Sequence, residues 1–276
     1  MKYFVIFGIF LVSFLSADSA IFKKIEKDLD SFIVKDLSQD AMLFSKNEDK
    51  LIRPASLTKI MTSIIAIESG KMDDVVTITK PMIEVEPTKI NLVVGEKIKL
   101  RDLVHAAMIK SANDAAYAIA YYLGDGNKQI FLDIMNTRAK ELGMLNTHYA
   151  DPAGFDSKTH RSSAKDLLTL TEYVIKNKTF NSIVNLKSYS FYTQDSGKKY
   201  TVATSNKLMK EHKYIVGVKT GYTNAAGPCL IARAKKDGKD ILLVMLNAGN
   251  RWANAQKALD EAMGESVPSS ELLAKN

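Results

Sequence analysis

Cys229-Leu-Ile-Ala-Arg-Ala-Lys-Lys-Asp-Gly-Lys-Asp-Ile-Leu-Leu-Val-Met-Leu-Asn247 consists of two apolar runs, 229–234 and 241–247, around a turn containing Asp237-Gly238. An Asp-Gly pair supplies the positive φ angles of a tight hairpin turn, so the stretch reads as two antiparallel strands. Tyr214–Val218, just upstream, is a third strand-like run. Near the other end of the chain, Ser31–Leu37 and Ala41–Phe44 flank Ser38-Gln39-Asp40 and read as a second hairpin. Between these ends the pattern is helical. Ile60–Ile67 reads as a buried helix ended near Gly70, and 100–109, 114–123 and 129–142 repeat apolar residues every three or four positions. Another helix, 163–176, opens on Ser163-Ala-Lys-Asp166, a capping-box pattern with Asp in place of Glu, and a last one covers about 250–263. Strands, a helical block, then strands and a helix predict an α+β fold. Its antiparallel sheet is built from both chain ends and flanked by helices, with an all-helical subdomain inserted at about 75–185.

The 276 residues are 46% apolar and 25% charged, values of a soluble globular protein with chain enough for a sizeable core. These values exclude a disordered tail and a multi-span membrane protein. One cysteine, Cys229, allows no intrachain disulfide and no cysteine-rich metal site. His105, His148, His160 and His212 are scattered and no His-Glu-x-x-His occurs, which argues against a zinc peptidase. No metal or other cofactor is expected. The net charge of +7 raises nucleic acid as a partner, yet the lysines are dispersed, and Lys198-Lys199 and Lys235-Lys236 fall at hairpin turns. Without a basic stripe interleaved with aromatics, nucleic acid is not an expected partner.

Met1-Lys2, the apolar run Tyr3–Leu15 and the small residues Ser16-Ala-Asp-Ser-Ala20 have the form of an export signal, assigned to 1–19 with cleavage near Ala17 or Ser19. The run is shorter than the roughly 20 residues of a membrane span. An uncleaved anchor is the alternative, and either places the rest of the chain outside the cytoplasmic membrane, in the periplasm or cell envelope. One catalytic domain is expected over 20–265, with a tail at 266–276.

Three short motifs carry chemistry. Ser56-Leu-Thr-Lys59 opens the apolar helix, and positions three apart share a helix face. A serine hydroxyl needs a neighbouring base, and a lysine desolvated among apolar side chains becomes one. Ser-x-x-Lys recurs at Ser162–Lys165 and Ser196–Lys199, but only the first copy begins a fully apolar helix. Ser111-Ala-Asn113 sits in a break between two helices. Its hydroxyl is placed to relay a proton to a leaving amine, and its amide to bind a substrate carbonyl and hold Lys59. Lys219-Thr-Gly221 follows the Tyr214–Val218 run, where a cation and a hydroxyl at a strand edge suit a carboxylate. Gly221 admits a close backbone, and the Tyr222 amide could serve as a second oxyanion donor. Each motif alone has a plainer reading: a capped helix start, a polar connection between helices, a strand running into a turn.

In this order the motifs resemble those of the serine penicillin-recognising enzymes. The longer strings Pro54-Ala-Ser-Leu-Thr-Lys-Ile-Met-Thr62, Lys110-Ser-Ala-Asn-Asp-Ala-Ala116 and Gly217-Val-Lys-Thr-Gly-Tyr-Thr223 are similar to the low-molecular-mass D-alanyl-D-alanine carboxypeptidases. So are Asn146–Phe155 and His160–Leu167, and the resemblance runs from about residue 25 to 265. It implies a β-lactamase/transpeptidase-like fold and removal of the terminal D-Ala from peptidoglycan stem pentapeptides through a serine acyl-enzyme, with β-lactam antibiotics as covalent inhibitors. It further implies Ser56 as nucleophile, Lys59 as base, Ser111 and Asn113 as proton relay and positioning groups, and Lys219 and Thr220 as carboxylate ligands. Arg251 is a further candidate contact for that carboxylate.

A D,D-endopeptidase acting on cross-links would use the same residues. A class A β-lactamase would need Glu-x-x-Leu-Asn, and Glu141-Leu-Gly-Met-Leu-Asn146 is one residue too long, with no other Glu before Glu172. The chain ends about a dozen residues past its last helix, without the β-rich domain and amphipathic anchor of many such carboxypeptidases. Membrane attachment is therefore not expected unless the leader is retained.

Overall fold

The structure, a computed structural model, describes residues 19–264. The expected leader, Ser19 apart, and the expected tail lie outside those residues. The described strands are β1 (Leu29–Asp36), β2 (Ala41–Lys46), β3 (Val75–Thr77), β4 (Lys97–Lys99), β5 (Ser188–Tyr192), β6 (Lys199–Ala203), β7 (Ile215–Thr223), β8 (Gly227–Lys236) and β9 (Lys239–Ala248). The helices are α1 (Ala20–Ile25), α2 (Lys59–Glu68), α3 (Lys80–Ile83), α4 (Leu100–Ile109), α5 (Asn113–Leu123), α6 (Lys128–Glu141), α7 (Ala164–Val174), α8 (Lys178–Val184), α9 (Lys207–Glu211) and α10 (Arg251–Met263).

Five strands form one antiparallel sheet in the order β2-β1-β9-β8-β7, so the two chain ends meet at β1 and β9. The decisive hairpin forms as expected. Lys236 pairs with Lys239, and the two turn residues Asp237 and Gly238 both have positive φ, 49° and 81°. Both faces of the sheet are covered. Ile33, Ile231, Val244 and Leu246 join the core shared with α2, α4 and α7, while Phe32, Leu230, Leu243 and Met245 join a second core under α1 and α10. Burial on both faces explains why β9 reads as an unbroken apolar run rather than an alternating one.

α2 is the central helix. Ile60, Met61 and Ile64 are fully buried, each contributing roughly 1.5–3 kcal/mol of hydrophobic stabilisation. That burial fixes the turn just before it, which carries Ser56.

Two expectations change. Lys219-Thr-Gly221 lies inside β7, not after it: the strand shifts register between Ile215 and Val218, where Gly217 has φ 125°, and pairs on to Thr223. The inserted region is helical except for a β3–β4 ribbon, and α8 at its end and the β5–β6 hairpin after it stand where no element was read. Strands of three to five residues are too short to register as periodicity.

Candidate active site

Ser56 sits in a 3-10 turn, Ala55–Thr58, that leads into α2. Ala55 precedes it in the left-handed region, φ 49°, an unfavourable conformation for a residue with a Cβ. Three contacts hold it there. Thr58 Oγ1 donates to the Ala55 carbonyl at 2.8 Å. Gly154 presses on that carbonyl so closely that an added Cβ would stand 1.9 Å from the oxygen. Gly221 of β7 packs against the turn, its missing Cβ 3.2 Å from the Ser56 nitrogen. Glycine at 154 and 221 is thus a condition of bringing a loop and a strand edge onto Ser56.

Lys59, one helical turn on, is fully buried, and its Nζ makes three hydrogen bonds: to Ser56 Oγ at 2.8 Å, Asn113 Oδ1 at 2.7 Å and the Ala153 carbonyl at 2.7 Å. Burial pushes its pKa down to about 7, against the opposing pull of the Asp151 and Asp114 carboxylates. Asn113 is oriented in turn by donating to the Glu86 carbonyl at 2.9 Å. Ser111 has φ 66°, and the break it makes between α4 and α5 sets Asn113 against Lys59. The structure does not join Ser111 to Lys59; among the described residues its hydroxyl has no hydrogen-bond partner, and it lines a hollow beside Ser56.

β7 forms the opposite wall. Thr220 Oγ1 meets Ser205 Oγ at 2.7 Å. Lys219 is only 2% exposed, its Nζ donating to the Thr220 carbonyl at 2.9 Å. Burial lowers its pKa well below the usual lysine range, aided by the charges of Lys59 and Arg251. Arg251 Nη1 donates to the carbonyls of Gly221 at 2.7 Å and Cys229 at 2.9 Å, so its first task is to tie β7 to the start of α10. Tyr222 is 61% exposed at the groove.

Two hollows meet at Ser56. One, of about 580 Å³, is lined by Asn113, Phe155, Asp156, Tyr222 and Asn224 among others. The other, of about 310 Å³, is lined by Ser111, Ser205, Thr220, Gly221 and Arg251. Ser56, Lys59, Asn113, Ser111, Thr220, Gly221, Tyr222 and Arg251 therefore gather around one groove, with Lys219 beneath its wall rather than in its lining.

Sequence reasoning missed the supports. Asp151 accepts from the amides of Ala153, Gly154 and Phe155 at 2.8, 2.8 and 3.1 Å and from Tyr117 Oη at 2.5 Å, shaping the loop that presents the Ala153 carbonyl to Lys59. His160 is buried behind it. Its Nδ1 accepts from the Ala150 amide at 3.0 Å, and its Nε2 lies 2.8 Å from Thr58 Oγ1, whose own proton goes to Ala55. Nε2 is therefore the donor and the ring is neutral. Burial, the larger cause, takes its pKa to about 4. The string Asp151-Pro-Ala-Gly154 was the available signal, as Asp followed by Pro and Gly marks a side-chain-bonded turn. No group of metal-ligating side chains occurs among the described residues.

Residues 18–250 match the family described as D-alanyl-D-alanine carboxypeptidase, Peptidase S11. The chain is 33% identical over 233 residues to D-alanyl-D-alanine carboxypeptidase DacF of Bacillus subtilis, covering 81% of this chain and 59% of that protein. It is 29% identical to a D-alanyl-D-alanine endopeptidase of Escherichia coli over 81% of this chain and 73% of that one. The crystal structure of the Streptomyces K15 DD-transpeptidase superposes with a TM-score of 0.81 at 27% identity, covering 86% of this chain and 97% of that one.

Proposed function

The chain belongs to the D-alanyl-D-alanine carboxypeptidase family, Peptidase S11, and from that premise we propose that it removes the terminal D-Ala of peptidoglycan stem pentapeptides. The observation that carries the reading is Lys59: buried, with a pKa near 7 and bonded to Ser56 Oγ. Neutral Lys59 accepts the Ser56 proton as Oγ attacks the carbonyl of the penultimate D-Ala. The backbone amides of Ser56 and Tyr222 hold the oxyanion. As the C–N bond breaks, the proton passes from Lys59 through Ser111 to the departing amine, leaving an ester on Ser56. Water, deprotonated by Lys59, then cleaves that ester and restores the hydroxyl.

The terminal carboxylate meets Thr220, Ser205 and Arg251 in the smaller hollow. Its approach also raises the pKa of Lys219 from beneath, since a neighbouring anion favours the ammonium. A β-lactam acylates Ser56 by the same path, its carboxylate in the same hollow. The proposal puts the chain in the bacterial envelope, with 1–19 as export leader, 20–265 as the catalytic unit and 266–276 as tail. No helix among the described residues is long and apolar enough to cross a membrane.

Labelling with a fluorescent penicillin tests the reading. The native protein is expected to carry a stable covalent label that Ser56→Ala lacks, and to release D-alanine from a pentapeptide ending in D-Ala-D-Ala. Rapid penicillin turnover would move the assignment to a β-lactamase. Release of cross-linked dimers in preference to D-alanine would move it to an endopeptidase, the activity named for the Escherichia coli relative.

A further inference from the structure

Beyond the larger hollow lies a third, of about 380 Å³, that the mechanism does not use; it is lined by Asp30, Lys50, Arg53, Lys158, His160 and Arg161 among others. Its lining follows on from that of the groove along two segments of the chain. Ala153–Asp156 line the larger hollow while Ser157, Lys158, His160 and Arg161 line the third. Likewise Tyr222–Asn224 line the former and Ala225 the latter. Where the two linings adjoin, Thr223 Oγ1 donates to Asp156 Oδ1 at 2.8 Å.

The charge there is lopsided. Lys50 pairs with Asp30 at 3.2 Å, and Arg53 reaches only 3.9 Å from Asp156. Lys158 and Arg161 have no ion pair with any described residue, and both are exposed. His160 adds no positive charge near neutral pH, since its ring is held neutral. Four permanent cations thus face one paired carboxylate and one bridging carboxylate at the far end of the groove.

We propose that this basic hollow is a subsite for a carboxylate carried by the peptide substrate upstream of the scissile bond. The inference rests on the proposed function, which sets the direction. With the terminal carboxylate at Thr220 and Arg251 and the reacting carbonyl at Ser56, the chain upstream runs through the larger hollow toward the Asp156–Thr223 bridge. Lys158 and Arg161, beyond that bridge, then meet its side groups. The subsite distinguishes a free acid from its amide, a difference of one charge at constant shape.

The test uses synthetic peptides ending in D-Ala-D-Ala, each with a carboxylate two, three or four residues upstream of the scissile bond, and their carboxamide counterparts. At one position at least, kcat/KM for the acid is expected to exceed that for the amide about fivefold, the scale of a partly exposed charge-assisted contact. The paired charge reversal K158E/R161E, at two exposed positions, is expected to invert the ratio. Reversal of two lysines elsewhere, K176E/K178E, is expected to keep it, which separates a local site from the attraction of the net charge of +7. A ratio near one at all three positions, a preference that survives K158E/R161E, or one lost equally in K176E/K178E would overturn the subsite. Penicillin labelling of Ser56 in the same preparations keeps the two readings apart. An unlabelled native protein refutes the proposed function, whereas a labelled one without acid preference refutes the subsite alone.

Discussion

Lys59 makes the rate of acylation a direct report on its own protonation. Only the neutral amine accepts the Ser56 proton, and the pKa near 7 means that half the molecules hold it at pH 7. The neutral share is roughly one in ten at pH 6 and one in a hundred at pH 5, so acylation should rise about ninetyfold from pH 5 to pH 8 and then level off. His160, with a pKa of about 4, does not titrate in this window, and a penicillin carboxylate stays ionised throughout it. The assay is the second-order rate constant for fluorescent penicillin, taken by quenched time courses from pH 5 to 9, because that constant reports the free enzyme. Lys59→Arg, whose guanidinium stays charged, should be slower by about 10²–10⁴ and nearly indifferent to pH. A flat native profile, or one still climbing tenfold per unit between pH 8 and 9, would refute the neutral-lysine base.

Other outcomes follow from the supports. Gly154→Ala puts a Cβ where the Ala55 carbonyl stands, at a residue whose own φ is 96°; we expect soluble protein with a lowered Tm and little penicillin label. Asp151→Ala leaves three loop amides and the Tyr117 hydroxyl without their acceptor. Urea unfolding should show a loss of about 2–4 kcal/mol, and acylation should slow as the Ala153 carbonyl drifts from Lys59. His160 has a folded pKa of about 4 against 6.5 unfolded. The unfolded chain therefore takes up its proton first, and stability falls as pH drops from 6.5 to 4, by up to about 3 kcal/mol. His160→Gln, which keeps a donor for Thr58, should lose that part of the slope in urea titrations at pH 7 and pH 5.

The sheet and the central helix were legible because long apolar runs and an Asp-Gly turn are local signals. The hairpin at 237–238 and the helices at 100–109 and 251–263 fall within a residue of their expected places. Ser56, Lys59, Asn113 and Thr220 were legible as chemistry, since each motif pairs a reactive group with one that activates or holds it. Their convergence was not, because it depends on contacts between residues as far apart as 59 and 153. Asp151 and His160 escaped for the same reason: their partners are backbone amides and a hydroxyl, which leave no pattern in side-chain type. The burial of Lys219 escaped because a short polar run within β7 gives no sign of which face turns inward.

The reactive centre is also where the fold works against itself. Ala55 and Ser111 hold left-handed φ values at about 1–2 kcal/mol each, and Lys59 is buried without a carboxylate in contact. A lysine whose pKa drops from 10.5 unfolded to about 7 folded burdens stability fully below pH 7, and the burden fades as pH rises toward 10.5. Between pH 7 and pH 9 the native protein should gain about 2–3 kcal/mol from this residue alone. Lys59→Met fills nearly the same volume without a proton to lose. It forfeits the bonds to Asn113 and Ala153, yet it should no longer share in that gain. Urea unfolding of native and Lys59→Met proteins at the two pH values measures the difference. Parallel slopes would mean that Lys59 keeps an ordinary pKa in the folded state, and the acylation mechanism would lose its base.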